Sequence, residues 1–308
     1  MSRLVIPAGL AAQGRLGPDW ADWLDRLPRL AREVAGDWGL TPDGPAWHGY
    51  CSLVMPVRAE AGTSLALKLS FDGDTESEHE HLALQRWGGR GAVRMLRADP
   101  HRRAMLLERL HHEDLSTIGY AEAAEVVGRM YADLHVPASP QLRTVTSYVD
   151  RWLDDLAVLS RDAAIPRRMV EQALHLGRAL VGDPASTGVL VHGDLHDHNV
   201  LAGDREPWLV IDPKPMSGDP HYEPAPMLWN RWEEVAGGDV RSSLRRRFHA
   251  LVDAASLDED RARDWVVVRL VINASWTVQD AVAADRLLEV DEQEWITRCI
   301  AIIKAVQD

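Results

Sequence analysis

Gly188-Val189-Leu190-Val191-His192-Gly193-Asp194-Leu195-His196-Asp197-His198-Asn199, then Trp208-Leu209-Val210-Ile211-Asp212, is the stretch on which the reading of this chain turns. An apolar run of strand character enters a loop rich in Asp and His, and a second short apolar run ends at another aspartate. One loop thus carries Asp194 and, five residues on, Asn199; the following strand delivers Asp212. Moving a phosphoryl group to a hydroxyl requires such a set. One carboxylate orients and deprotonates the hydroxyl, and two oxygen ligands hold the magnesium that accompanies ATP. On this reading Asp194 is the catalytic carboxylate, Asn199 and Asp212 are metal ligands, and ATP and Mg2+ are the cofactors.

The D-x4-N spacing followed by a strand-end aspartate is that of the catalytic loop and metal-binding aspartate of kinases. A zinc site is the competing reading, because His192, His196 and His198 lie close together. Histidines two apart do not share a helical face, however, and neither Cys51 nor Cys299 is nearby in sequence. A plain Asp- and His-rich surface loop is the third reading.

At 308 residues with 46% hydrophobic content, the chain has material for one large domain or two small ones. No run approaches eighteen uninterrupted apolar residues, and the start of the chain lacks a signal-peptide core, so no membrane association is expected. Two distant cysteines give no disulfide framework, which points to a cytoplasmic protein. Residues 1–110 carry 14 acidic and 14 basic side chains; residues 111–308 carry 33 and 20. An acidic second half repels nucleic acid and attracts a cationic small molecule, although an acidic surface also serves solubility.

The chain has 31 arginines but three lysines, Lys68, Lys214 and Lys304. A lysine kept within Leu65-Ala66-Leu67-Lys68-Leu69-Ser70 therefore draws notice, since a compact ammonium suits phosphate as a point charge. A solvent-facing lysine on an edge strand is the alternative. A carboxylate is needed to hold such a lysine, and Glu76, Glu78 and Glu80 follow on a predicted helix. Glu80 is preferred because it shares a face with Leu84 and Trp87. The phosphates should be covered by main-chain N–H groups; the segment His48-Gly49-Tyr50-Cys51-Ser52 is a weak match, with Ser52 as a further contact. Glu108 to Leu110 is where main-chain groups are expected to meet the adenine.

Periodicity predicts a helix over 19–38, strands over 46–58 and 64–70, a helix over 74–87, and strands over 92–96 and 103–110. Beyond 119 it predicts helices over 120–135, 148–160, 167–181, 225–236, 239–255, a broken one over 259–289, and 292–307. The expected class is α+β: a small sheet-containing lobe, 1–110, that binds nucleotide, and a larger, mainly helical lobe, 111–308, that carries catalysis and substrate. A nucleotide is expected in a cleft between lobes.

The run His192-Gly193-Asp194-Leu195 to Asn199, with Ile211-Asp212-Pro213 and Gly218-Asp219-Pro220, resembles the aminoglycoside phosphotransferase superfamily. Arg205-Glu206-Pro207-Trp208 through Pro215, and Trp87 through Val93, resemble its streptomycin 6-kinase and hydroxyurea-resistance branch, over nearly the whole chain. The resemblance implies a protein-kinase-like two-lobed fold, ATP, magnesium and transfer to a hydroxyl. By motif match it implies the same roles for Asp194, Asn199, Asp212 and Lys68, and a supporting role for Asp219. The chain departs from many relatives at Glu223, where they carry aspartate, and Pro224 and Pro226 follow. The expected effect is a reshaped substrate wall containing Glu223.

A polyhydroxylated cation needs carboxylates and flat apolar surfaces. Trp229, Trp232, Glu233 and Glu234 on one predicted helix, Trp276 and Asp280 on another, and Asp114 past the lobe crossing can supply them. The expected substrate contacts are Asp280, Trp232, Glu223, Asp114 and Trp276, although most of 12 tryptophans must be core. The expected function is an ATP- and Mg-dependent O-phosphotransferase acting on a streptomycin-like antibiotic. The alternatives are a kinase of an amino sugar, sugar or amino alcohol, and a catalytically dead fold used as a binding module.

Overall fold

The computed structural model describes residues 4–307. The chain divides into two units, one comprising residues up to Glu113 together with Leu201–Pro215, the other Asp114–Val200 and the residues from Met216 onward.

The first unit is built on an antiparallel sheet in the order Thr41–Pro42, Ser52–Arg58, Ser64–Ser70, Ala104–Glu108, Met95–Asp99, with Trp47–His48 also paired to Ser52–Arg58. Ser64–Ser70 has neighbours on both sides, and Lys68 stands across from Val54 and from Met105. The helix Pro18–Asp37 buries Trp23, Leu27, Ala31, Val34 and Ala35, a three-to-four-residue stripe, in one cluster with Leu53, Val57, Leu67 and Leu69 of the sheet. Each such large side chain removed from water contributes about 1.5–3 kcal/mol, enough to carry the helix through Pro28.

The helix predicted over 74–87 begins only at Glu80. Before it, the Asp74 carboxylate accepts from the Glu76 N–H and the Ser77 hydroxyl, a local turn that competes with helix. The segment 201–215, which sequence order leaves in the second half, packs with the first. Val210 and Ala202 exchange main-chain hydrogen bonds with Gly91, Val93, His111 and Glu113, and Arg205 reaches Glu108 and the Ala92 carbonyl.

The second unit is helical: Tyr120–Leu134, Val145–Ala157, Arg167–Gly182, Val240–Ala255, Glu259–Ala283 and Val290–Gln307. Glu259–Ala283 runs without the expected break. Its run from Trp265 to Ile272 is buried throughout, and burial outweighs the weak helix preference of the β-branched residues. The helix predicted over 225–236 is two short ones, Ala225–Trp229 and Glu233–Ala236. Arg231 between them has φ 52, a left-handed conformation that no helix continues through. A two-stranded ribbon, Val189–Val191 with Met216–Gly218, leads into the His192–Asn199 loop. Gly218 is needed there, because a Cβ would stand 2.4 Å from Val145. No helix among the described residues is long and apolar enough to cross a membrane.

Candidate active site

The first unit gathers four charged side chains around Lys68. Lys68 is 4% exposed, which its central strand dictates, and the solvent-facing alternative is excluded. Its ammonium donates to both Glu80 oxygens at 2.7 Å and to Asp212 Oδ1 at 2.5 Å. Of the three candidate glutamates it is thus Glu80, itself buried, that meets the lysine. Burial alone would lower the Lys68 pKa; the Asp212 and Glu80 carboxylates reverse that and hold it above the usual value. Asp212 itself sits at φ 55, an unusual backbone for a non-glycine residue. Lys214 completes the group, 3.8 Å from Asp212 Oδ1 and 3.5 Å from Asp74 Oδ2. The lysine scarcity that singled out Lys68 applied equally to Lys214, and sequence reasoning did not follow it.

Ser52 is buried at the start of its strand, where its carbonyl accepts from the Gly49 N–H at 3.0 Å. Glu108 does not offer its main-chain donor to an adenine, a correction to the expected contact. Its N–H donates to the Arg94 carbonyl, and its carboxylate accepts from the Arg94 N–H and the Arg205 guanidinium. The Leu110 side chain lies beside Gly203, where an added Cβ would stand 3.2 Å from its Cδ2.

In the second unit the catalytic-type loop is clamped by its backbone. Glu223 is fully buried; its Oε1 accepts from the His192 N–H at 2.5 Å and its Oε2 from the Gly193 N–H at 3.2 Å. Burial alone would raise its pKa; hydrogen bonding and charge from His135 and His192 prevail and lower it. Glu223 therefore cannot line a substrate wall, which corrects that expectation. Gly193 has φ 82, so glycine is required, and its carbonyl accepts from the Arg269 guanidinium, which also donates to the Tyr222 carbonyl at 3.1 Å. Both main-chain groups of the residue before Asp194 are thus fixed. Asp219, 1% exposed, accepts from Arg261 Nε at 2.6 Å, Trp265 Nε1 at 2.7 Å and the His221 N–H at 3.0 Å. Burial opposes its ionisation, but hydrogen bonds from His221 and Trp265 bring its pKa down to about 2.

The Asp194 side chain is one-third exposed, with His196 Nε2 4.0 Å from its Oδ2. Asn199 donates from Nδ2 to the Asp194 carbonyl at 2.8 Å, so its amide oxygen takes no part in that hydrogen bond. Asp114 caps a short turn, accepting from the Ser116 N–H and hydroxyl, and pairs with His198 Nδ1 at 2.8 Å. It secures the loop's far end, and its carboxylate is largely spent there rather than on a substrate. His192 Nδ1 accepts from the Asp194 N–H, and His196 Nδ1 from the His198 N–H, so the loop histidines are engaged with the loop itself. Among the described residues no group of three or more His, Cys, Asp or Glu is placed to hold a metal unaided. Magnesium bound through one or two protein oxygens plus phosphate needs no such cage, and an amide or carboxylate oxygen is the donor type it takes.

Trp276 packs edge-on against Trp152, 5.0 Å between rings, beside Tyr148. Asp280, one turn on, is exposed. Trp232 lies under the Arg298 guanidinium at 4.9 Å; both Trp232 and Trp276 pack against the large helical core. Glu234 is bound to Arg231 and Arg247, so it is structural.

A model of the aminoglycoside/hydroxyurea antibiotic resistance kinase family matches residues 37–281. The chain is 38% identical to a streptomycin 6-kinase of Streptomyces glaucescens, over 92% of this chain and 94% of that one. It is 37% identical to a hydroxyurea phosphotransferase of Kitasatospora aureofaciens, over 83% and 75%. Among solved structures, a choline/ethanolamine kinase family protein of Mesorhizobium loti has a TM-score of 0.62 at 16% identity, covering 91% of this chain and 95% of that one, which shows a shared protein-kinase-like fold. With four-fifths of its length inside the family model and relatives of this identity, the chain belongs to the aminoglycoside/hydroxyurea antibiotic resistance kinases.

Proposed function

We propose that this chain transfers the γ-phosphoryl group of ATP to a hydroxyl of a streptomycin-type aminoglycoside. The observation that carries this reading is the likeness to streptomycin 6-kinase over nearly the whole of both chains, together with the Asp194–Asn199 loop held rigid by Glu223 and Arg269. Lys68, fixed by Glu80, neutralises the inner phosphates. Asp194 accepts a hydrogen bond from the attacking hydroxyl and takes its proton as the new oxygen–phosphorus bond forms. The bond from the γ-phosphorus to the bridging oxygen breaks, and its electron pair leaves with ADP. A loose transition state asks little basicity of Asp194, so the clamped backbone beneath it does most by positioning. Asn199 and Asp212 would hold Mg2+, which supplies charge neutralisation on the phosphates. Asp280, exposed and acidic, is the side chain we assign to a cationic group of the acceptor.

The second relative, at nearly the same identity, acts on hydroxyurea, so identity alone does not separate the two acceptors. Incubation with ATP, Mg2+ and a panel of streptomycin, other aminoglycosides, hydroxyurea, amino sugars and amino alcohols, read by product mass, decides. Streptomycin should gain one phosphoryl group. Gain on hydroxyurea or on a metabolite alone would move the assignment to that class, and a panel without any gain would remove the phosphotransferase reading.

A further inference from the structure

Two of the three lysines of this chain converge on one carboxylate, Asp212, yet they are held in different ways. The Lys68 ammonium has three protons and faces three carboxylate oxygens at 2.5–2.7 Å, so each of its donors has a close carboxylate partner. The Lys214 ammonium has one long hydrogen bond, 3.5 Å to Asp74 Oδ2, and only a distant attraction to Asp212 at 3.8 Å. Its side chain is nonetheless only 16% exposed. It is a nearly buried cation with hydrogen-bonding capacity left over.

The local sequence fits a mobile head on a stiff base. Pro213 and Pro215 flank Lys214 and restrict the main chain on both sides, while its four-carbon stem can swing.

We propose that Lys214 is a second phosphate-binding cation, which leaves Asp74 for the terminal phosphate when the nucleotide binds, while Lys68 serves the inner phosphates. This rests on the ATP-dependent reading above. The competing role is a staple that merely fixes the Asp74–Ser77 turn to the end of the Asp212 strand.

Calorimetric titration of the full chain with Mg-ATP and with Mg-ADP, without acceptor, separates the two. Lys214→Met should weaken ATP at least tenfold and leave ADP within twofold. Asp74→Asn, which removes the resting partner, should keep or increase the preference for ATP. Equal losses for both nucleotides in Lys214→Met, no loss for either, or an Asp74→Asn variant that loses the ATP preference would each overturn the proposal. Wild-type protein that bound neither nucleotide would instead overturn the donor assignment on which it rests.

Discussion

The Lys68 cluster and the Asp194 loop are built on opposite plans. Around Lys68, side chains hold side chains: one ammonium meets three carboxylate oxygens, and a second waits at longer range. Around Asp194, side chains hold backbone: Glu223 takes two successive N–H groups and Arg269 takes the Gly193 carbonyl. Mutual charge compensation can be exchanged for a ligand's charges, whereas main-chain clamping is independent of any ligand. The first plan suits a place where a charged nucleotide enters and leaves. The second suits a carboxylate that must stand at one spot through every turnover.

That contrast can be broken most forcefully at Asp194. Asp194→Ala should cut kcat by roughly 100- to 10,000-fold, the span general-base residues contribute, while Tm stays within a few degrees. A large fall in Tm would mean that this carboxylate is structural. Glu223→Gln comes next: one acceptor oxygen is kept, but an amide N–H is driven against a main-chain N–H in a buried place. Steady-state kinetics should show kcat reduced about tenfold or more with the nucleotide KM little changed, and the fold weakened by about 1–3 kcal/mol. A KM effect without a kcat effect would place Glu223 with the ligands after all.

Asp219 sharpens the account through pH. Its folded pKa of about 2 lies below its ordinary value of 3.8, so the stability it contributes is present above pH 4 and drains away as pH falls toward 2. The loss is on the order of 2 kcal/mol. Urea midpoints between pH 5 and pH 2.5 should fall less steeply in Asp219→Asn than in the wild type; parallel slopes would assign the acid sensitivity elsewhere. The smallest effect belongs to Asp280→Asn. Being exposed, it should raise the acceptor KM only a few-fold and leave kcat alone, and an unchanged KM would remove it from acceptor recognition.

Some of this was legible in the amino-acid sequence and some was not, for physical reasons. Lys68 and Glu80 could be paired on paper because a strand and the next helix are near in sequence and a helical face is periodic. The Asp194–Asn199 loop was legible because its chemistry is compressed into six residues. Glu223 was misread because a carboxylate that serves N–H groups 30 positions away leaves no local pattern. Arg231 broke a predicted helix because a left-handed arginine, held by Asp197 and the Ile118 carbonyl, is a tertiary choice rather than a local one. The placement of 201–215 was hidden for the same reason: its partners at 91–93 and 111–113 are a hundred residues upstream.

The central claim is a division of labour, in which Lys68 binds the donor and Asp194 acts only in the reaction. Its most direct test is the ATP dissociation constant of Lys68→Met and of Asp194→Asn, measured beside their turnover. Lys68→Met should lose ATP affinity by at least tenfold, while Asp194→Asn should bind ATP within twofold of the wild type yet turn over almost nothing. An Asp194→Asn variant that lost affinity as well, or a Lys68→Met variant that kept it, would contradict the account.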